Sequence, residues 1–341
     1  MKKTRMLMMC FSMLLVLLLF LGGCSTPSKP TEAETQAETK AETQAEQAAT
    51  TVAEAKEQKT VYMVLKNVTN PFVVTVRDAA YDAAKDYNIK LNVLTPLQTD
   101  NNEEINQLVE QAIASGDCDA IIIFPADSTA IVPAAEKCVE ANIPIISLNT
   151  RINSEEEIWE TYIAADNYDV GYLTAKRLCE IMDGKGDLFL IEGVVGGQVS
   201  VDRIAGAEDA VAEFPDIKIV AKQAGDMNRA KAMDVVQNLL QAHPDVDGIY
   251  AVNDEMALGA VEAVDAAGKT GQVLIAGCNV DQDARVAIRE GKLALSCDIG
   301  TYKQGYLSVE CAAKVLAGEK LEKDTMVELK VIGKDEIDQY D

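Results

Sequence analysis

The sequence predicts an α/β protein made of two lobes, each built on a doubly wound parallel sheet. From residue 60 onward, short apolar runs alternate with amphipathic stretches of helical period, which is the pattern of repeated strand–helix units. The run at 120–124 is apolar throughout, as expected for a strand that helices cover on both faces. The alternation restarts near residue 162, and two such series on one chain indicate two lobes.

The first series contains four strands and three helices. Pro71 precedes a stretch of helical periodicity, and proline is well tolerated in the first turn of a helix. The predicted strands cover 61–65, 91–94, 120–124 and 144–148, and the predicted helices cover 72–87, 103–115 and 130–141.

The second series repeats a strand followed by a helix along the rest of the chain. Each apolar run is short enough for a strand and leads into a longer amphipathic stretch. The predicted strands cover 162–165, 187–191, 217–221, 248–252, 273–276 and 293–296, and the predicted helices cover 169–182, 203–214, 229–241, 256–267, 282–290 and 302–316.

The N-terminus has the features of an exported lipoprotein precursor. A short positive segment precedes an apolar run at 6–21, and two glycines then precede Cys24. We expect a signal peptide over residues 1–23. The small residues before Cys24 resemble a bacterial lipobox, which implies a lipid anchor on that cysteine. A diacyl anchor supplies the two chains that stable membrane attachment requires. An ordinary signal peptide with an incidental cysteine is the alternative.

Residues 24–59 are predicted to form a disordered tether behind that lipidated cysteine. The segment is rich in alanine, glutamate, threonine and glutamine and has no aromatic residue, so it cannot bury enough apolar surface to offset the entropy lost on ordering. A frayed helix is the alternative, because alanine, glutamate and glutamine favour helix. Either form would separate the folded part from a membrane.

Composition argues against several classes of function. The formal net charge of -24 argues against a nucleic-acid partner, because phosphate binding requires lysine and arginine. The single imidazole, His243, precedes a proline in a turn-like stretch, so we expect no metal site and no cofactor. No nucleophile motif accompanies it, and we expect no enzymatic activity.

The cysteines of the folded part follow no metal-binding or redox spacing. We interpret most of them as small buried hydrophobes. Cys278 and Cys297 each end a strand-like run, and an exported protein permits disulfides. That pair is therefore the one to check for a bond.

Polar side chains follow the predicted strands, and they are the candidate binding residues. Ligands of open α/β sheets bind beyond the carboxyl ends of the strands, and in a two-lobed protein both sets of ends can face one cleft. Amides, carboxylates and guanidinium groups suit polyhydroxyl ligands. An aromatic side chain can cover the C–H face of a sugar ring. The candidates are Lys66, Asn70, Phe72, Phe124, Asn149, Arg151, Arg203, Met227, Asn253, Asn279 and Asp298.

The alternative role for a single Asp or Asn at a strand-to-helix turn is a helix N-cap. Among the acids that follow strands, Asp127, Asp254 and Asp281 are the ones that we interpret as caps.

Several stretches resemble ribose-type periplasmic sugar-binding proteins, the substrate-binding lipoproteins of ABC sugar importers. Thr69-Asn70-Pro71-Phe72 resembles the exit of their first strand, and the longest match runs through 237–246 into 253–260. The resemblance covers the chain from residue 60 to the C-terminus. It implies the type I periplasmic-binding-protein fold, in which a three-segment hinge joins the lobes. The implied lobes are 60–165 plus 300–328 and 166–299 plus 329–341.

By motif position, the resemblance implies ligand contacts for Asn70, Phe72, Arg203 and Asn253. The chain departs from the ribose pattern at Asn149 and Asn279, where ribose binders carry Asp, and at Met227, where an aromatic residue is usual. Replacing two acids with amides near Lys66, Arg151 and Arg203 favours a pocket that tolerates anionic groups. We therefore expect an inositol, a hexose or an acidic sugar in place of ribose.

The resemblance also implies what the protein does. We expect a monomeric extracytoplasmic protein, lipid-anchored to the cell membrane, that captures a small sugar or polyol and delivers it to an ABC importer permease. Two alternatives stay open. The same lobes could present their ligand to a sensor kinase or a chemoreceptor, or they could bind a small metabolite other than a sugar.

Overall fold

The structure is a computed structural model that describes residues 58–340. The predicted signal peptide, Cys24 and nearly all of the predicted tether lie outside the described residues. Within residues 58–340, no helix combines the length and the apolar character that a membrane crossing requires.

The first sheet has six parallel strands in the order β11-β5-β4-β3-β1-β2. Helices α1, α2, α3 and α9 pack on this sheet or on one another and form the first lobe with it. The elements are β1 (Thr60–Val64), α1 (Pro71–Asp86), β2 (Lys90–Leu94), α2 (Asn102–Ala114), β3 (Ala120–Ile123), α3 (Val132–Glu140), β4 (Ile145–Leu148), β5 (Thr161–Ala164), α9 (Thr301–Leu316) and β11 (Asp324–Met326).

The second sheet also has six strands, in the order β12-β10-β9-β8-β6-β7. Its strands are parallel except for the edge strand β12, which runs antiparallel to β10. The elements of this second lobe are α4 (Asn167–Ile181), β6 (Lys185–Glu192), α5 (Gln198–Ala212), β7 (Asp216–Ala224), α6 (Arg229–Ala242), β8 (Gly248–Ala251), α7 (Asp254–Ala266), β9 (Leu274–Cys278), α8 (Gln282–Arg289), β10 (Leu295–Asp298), β12 (Lys330–Gly333) and a short 3-10 helix (Ile337–Gln339).

The chain passes between the two sheets three times, at 165–166, 299–300 and 327–329. The strand with which the alternation restarts, β5, therefore belongs to the first sheet and not to the second. In the same way, β10 lies in the second lobe, whereas the helix that follows it, α9, packs in the first. At the second passage Gly300 adopts a left-handed φ of 61°, where a side chain would also meet Val327.

Asparagine and aspartate side chains begin several helices, as expected from their capping preference. Asn70, Asn101, Asp166, Asn228 and Asn253 each accept a hydrogen bond from a backbone N–H of the first turn.

The interpretation as helix caps does not hold for any of the three acids: Asp127 bonds within the turn before α3, and that helix begins after Ile131 without a side-chain cap. The carboxylate of Asp127 accepts hydrogen bonds from the backbone N–H groups of Thr129 and Ala130. Asp254 is not a cap, because the preceding Asn253 caps α7. Asp281 occupies the cap position of α8 but makes no side-chain capping bond.

Helices α4 and α5 cross so closely that only glycine fits at the contact. A Cβ atom added to Gly171 on α4 would lie 1.9 Å from the backbone oxygen of Arg203 on α5. A Cβ atom added to Gly206 would lie 2.1 Å from the backbone oxygen of Tyr168. This contact fixes the position of α5 along α4, and with it the backbone that carries Arg203.

The cysteines of the described residues are all free thiols. Cys278 on β9 and Cys297 on β10 are register partners in neighbouring parallel strands, and both are buried. No disulfide joins this pair in the structure. Burial raises the pKa of the Cys297 thiol to about 12, so it is not a reactive thiolate.

Candidate functional site

A cavity of about 430 Å³ lies between the two lobes, at the carboxyl ends of their parallel strands. Both lobes contribute to its wall, as the rule for open α/β sheets leads us to expect. Eight of the eleven candidate binding residues line it: Lys66, Asn70, Phe72, Asn149, Arg203, Met227, Asn253 and Asn279.

In the first lobe, the loop after β1 is organised by two asparagines. The Oδ1 atom of Asn67 accepts hydrogen bonds from the N–H groups of Thr69 and Asn70. Its Nδ2 atom donates to Asp100 at 2.7 Å. Asn70 then caps α1 by accepting from the N–H of Phe72 at 3.0 Å. Because Oδ1 of Asn70 is used in this way, its Nδ2 is the group available to a ligand.

Lys66 brings a positive charge to the first-lobe wall. Its Nζ atom lies 4.6 Å from the ring centroid of Phe124, over the ring face. Burial lowers the pKa of Lys66; the carboxylate of Asp100 opposes this change, and the guanidinium of Arg203 adds to it. Within residues 58–340, Nζ of Lys66 has no hydrogen-bond or ion-pair partner.

In the second lobe, Arg203 is only 3% exposed and is held by two neutral acceptors. Its Nε donates to Oδ1 of Asn167 at 2.9 Å, and its Nη1 donates to the backbone oxygen of Val252 at 2.5 Å. These two bonds fix the plane of the guanidinium and leave Nη2 to the cavity. Asn253 is fixed in a similar way, because its Oδ1 accepts from the N–H of Met256 at 2.9 Å.

Four residues of the cavity wall have positive φ although they are not glycine: Asp100 (57°), Asn149 (61°), Met227 (56°) and Asn279 (124°). Val280, which follows Asn279, also has a φ of 57°, and such a conformation is rare for a β-branched residue. Residues held in sparsely populated backbone conformations cluster at functional sites. These turns direct the side chains beyond the strand ends into the cavity.

The structure places three of the candidates outside this cavity. Phe124 is fully buried beneath it, where its ring meets the ring of Phe72 edge-on at 6.1 Å between centroids. Asp298 accepts a hydrogen bond from the N–H of Gly300 at 2.8 Å and so stabilises the segment 299–300, where the chain passes from the second lobe to the first. Phe124 therefore supports Phe72 and is not itself part of the wall.

Arg151, the third of these candidates, lines a neighbouring cavity of about 370 Å³. Its guanidinium forms an ion pair with Asp324 at 2.8 Å and lies 4.3 Å from the ring centroid of Tyr162. The side chain is thus turned away from the first cavity, and Thr150 takes the place beside Asn149 in that wall.

The sequence reasoning missed part of the wall. Val194 and Val195, in the glycine-rich loop between β6 and α5, line the cavity, and Val195 is 78% exposed. Ile299 lines it from the second passage between the lobes, and Asn102 lines it from the start of α2. Apolar loop residues carry no binding signal in the sequence, because isolated exposed apolar residues are common.

Two buried acids lie behind the second-lobe wall. Asp254 is fully buried; its carboxylate accepts hydrogen bonds from Oγ of Ser296 at 2.6 Å and from the N–H of Asp281 at 2.8 Å. Burial raises the pKa of Asp254 to about 6. Burial and the nearby charge of Asp254 raise the pKa of Asp281 to about 7.

Replacing Asp281 with asparagine is expected to flatten the dependence of stability on pH. Folding raises the pKa of Asp281, so its contribution to the free energy of unfolding is full below the unfolded pKa near about 4. That contribution is lost as the pH rises through the folded value of about 7. Over this pH range we expect the free energy of unfolding of the wild type to fall by on the order of 2–4 kcal/mol more than that of the variant, since one pKa unit is worth about 1.4 kcal/mol.

Urea unfolding at a series of pH values from about 4 to about 8 measures this difference. Asp335→Asn is the matched control, because it makes the same aspartate-to-asparagine change at an exposed position. Parallel stability curves for the wild type and Asp281→Asn would show that the buried pair does not take up a proton on folding.

A sequence profile of the periplasmic binding protein domain matches residues 61–320. The chain belongs to the periplasmic binding protein family. The ribose import binding protein of Escherichia coli K12 is 33% identical over 287 residues, which cover 84% of this chain and 95% of that protein. The D-ribose/D-allose-binding protein of Pseudomonas aeruginosa is 32% identical over 82% of this chain and 89% of its own length.

Solved structures of periplasmic binding proteins share the fold. A solute-binding protein from Actinobacillus succinogenes with bound D-allose superimposes with a TM-score of 0.80 at 35% identity, covering 83% of this chain and all (100%) of that one. A solute-binding protein from Bacillus halodurans with bound myo-inositol gives 0.78 at 25% identity, covering 84% and 99%. The predicted family and the predicted two-lobed fold are both confirmed.

Proposed function

We propose that this periplasmic binding protein captures a monosaccharide or a related polyol between its lobes and delivers it to the permease of an ABC importer. One observation carries the proposal: a single cavity collects amide, guanidinium and aromatic side chains from the strand ends of both lobes. A ligand in that cavity touches both lobes at once. It can therefore favour a closed form through its greater affinity for that form.

Each side of the cavity has a defined part in binding. Asn70 and Asn253 offer amide donors whose oxygens are already used as helix caps. Arg203 offers the charged Nη2 group, which its bonds to Asn167 and Val252 hold in place for a ligand oxygen. Phe72 and Met227 provide apolar surface for the C–H face of a ring.

The family is extracytoplasmic, and we propose that Cys24 anchors this member to the cell membrane through lipid. We also propose that the protein acts as a monomer, because the cavity is built from one chain. We further propose that the protein binds its ligand without chemical change, as expected of a periplasmic binding protein.

Thermal unfolding of the purified chain against a panel of pentoses, hexoses, inositols and sugar acids tests the binding step. A ligand that binds only the folded state raises its stability by about 2.7 kcal/mol at a hundredfold excess over the dissociation constant. We expect one sugar class to raise the unfolding temperature by several degrees. If no sugar or polyol raises the unfolding temperature and another metabolite does, the assignment of the fold is unaffected but the proposed ligand class is wrong.

Delivery to a permease requires a separate measurement. Uptake of the radiolabelled ligand should fall in cells that lack this protein and recover when it is restored. Uptake that does not change, with binding intact, would favour a sensory role for the ligand-bound lobes.

A further inference from the structure

The cavity wall carries one cation from each lobe, Lys66 and Arg203. Within the described residues neither side chain forms an ion pair. Arg203 is held by the oxygens of Asn167 and Val252, which are both neutral. The positive charge of Arg203 acts on Lys66 and contributes to lowering its pKa. The two cations therefore repel each other across the interior of the cleft.

The acids near these cations are oriented by hydrogen bonds to neutral donors and form no ion pair with Lys66 or Arg203. Asp127 lines the cavity, and its carboxylate accepts hydrogen bonds from two backbone N–H groups. Asp100 also lines the cavity. Its negative charge opposes the lowering of the Lys66 pKa, and its carboxylate accepts a hydrogen bond from the amide of Asn67. Behind Arg203, the carboxylate of Asp254 accepts from Ser296 and from a backbone N–H.

The strand-end positions that face these cations are neutral. Asn149 and Asn279 line the cavity with amide side chains. Their Nδ2 atoms donate to Gln304 at 3.2 Å and to Asp281 at 3.3 Å respectively. Neither position supplies a negative charge that a neutral sugar could use as a paired acceptor. Lys66 and Arg203 are therefore the charged donors of the wall, and neither forms an ion pair with Asp100 or Asp127, the two acids of the same wall.

We propose that the ligand is an acidic monosaccharide, a uronic or aldonic acid, whose carboxylate is bound between Lys66 and Arg203. This inference rests on the proposed function and deepens it. A carboxylate accepts charge-assisted hydrogen bonds from both cations, and such bonds are about twice as strong as neutral ones. Its negative charge also offsets the repulsion between Lys66 and Arg203, so this ligand favours closure more than a neutral sugar of the same shape does.

The test compares matched pairs by calorimetric titration of the full chain. D-glucuronate is set against D-glucose, D-galacturonate against D-galactose, and D-gluconate against D-glucitol, with hexose phosphates as an additional arm. We expect at least one acid to bind at least about tenfold more tightly than its neutral partner, the range for a hydrogen bond to a charged group.

Substitutions of Lys66 test whether this residue binds the carboxylate of the ligand. Lys66→Gln is expected to weaken binding of the acid by about 10- to 100-fold and to change affinity for the neutral partner much less. Lys66→Arg keeps the charge and should keep the preference for the acid. Lys320→Gln removes an exposed lysine and is the control for net charge; it should leave both affinities unchanged.

The outcomes separate the two proposals. Neutral sugars that bind as tightly as their acids, or a response to hexose phosphates alone, overturn the acidic ligand and leave sugar binding in place. Binding of an acid that Lys66→Gln does not weaken overturns the bridging of the cations. Absence of binding by every sugar, polyol and acid overturns the proposed function as well.

Discussion

Replacing Arg203 with alanine is expected to weaken ligand binding by about 100-fold or more. The change removes the charged Nη2 group, which the bonds to Asn167 and Val252 hold in place, and it leaves ligand oxygens buried without partners. An unsatisfied buried group costs about 1–3 kcal/mol, and more when a charged partner is lost. Calorimetric titration at a temperature well below unfolding measures the affinity separately from any loss of stability.

Arg177→Ala provides the matched control for this experiment. Arg177 lies on the adjacent helix α4, where its half-exposed side chain pairs with Glu180 one turn away. Surface pairs of this kind contribute about 0.3–0.5 kcal/mol, so binding should not change. An Arg203→Ala protein that binds its ligand within about threefold of wild type, or about 0.7 kcal/mol, would show that the guanidinium does not contact the ligand.

Replacing Gly171 with valine is expected to lower both stability and ligand affinity. Even the first carbon of the new side chain would lie 1.9 Å from the backbone oxygen of Arg203, so α4 and α5 must separate. Overpacking of this kind costs about 1–3 kcal/mol, and occasionally more. Because α5 carries Arg203, its displacement also moves the guanidinium in the cavity. Urea unfolding and calorimetric titration of the same variant measure the two effects.

Gly248→Ala separates a general loss of stability from this local effect. Gly248 begins β8, at the opposite end of the strand from the cavity, and a Cβ atom there would press on the end of the flexible Met182 side chain. We expect lower stability with unchanged affinity. If Gly171→Val loses stability but binds as well as wild type, the crossing of α4 and α5 does not position Arg203.

The order of strands and helices could be predicted from the sequence because the local pattern determines it. An apolar run of four or five residues between turn formers has few alternatives in an α/β chain. The edge strands β11 and β12 could not be found in this way. Their residues are partly exposed and contain no apolar run, as in Asp324–Met326, and they become strands only because β5 and β10 lie beside them.

The rule for strand ends placed eight of its eleven candidates correctly in the cavity wall, but it could not give the direction of each side chain. Phe124 continues the alternation of β3 and shares a core cluster with Ala120 and Ile122, so it points into the layer between sheet and helices. The left-handed turn at Asn149 directs that residue into the cavity and leaves Arg151 to pair with Asp324. Such backbone turns leave only a weak mark in a sequence when the residue is not glycine, because asparagine adopts them more often than most residues but far from always.

Each lobe takes its last strand from the end of the chain, β11 for the first sheet and β12 for the second. Helix α9, which packs on α1, also follows nearly all of the second lobe in sequence. Neither lobe can complete its core until almost the whole chain has been synthesised. Members of an extracytoplasmic family have to be exported, and this late completion favours an extended chain, suited to threading through a membrane pore, during synthesis.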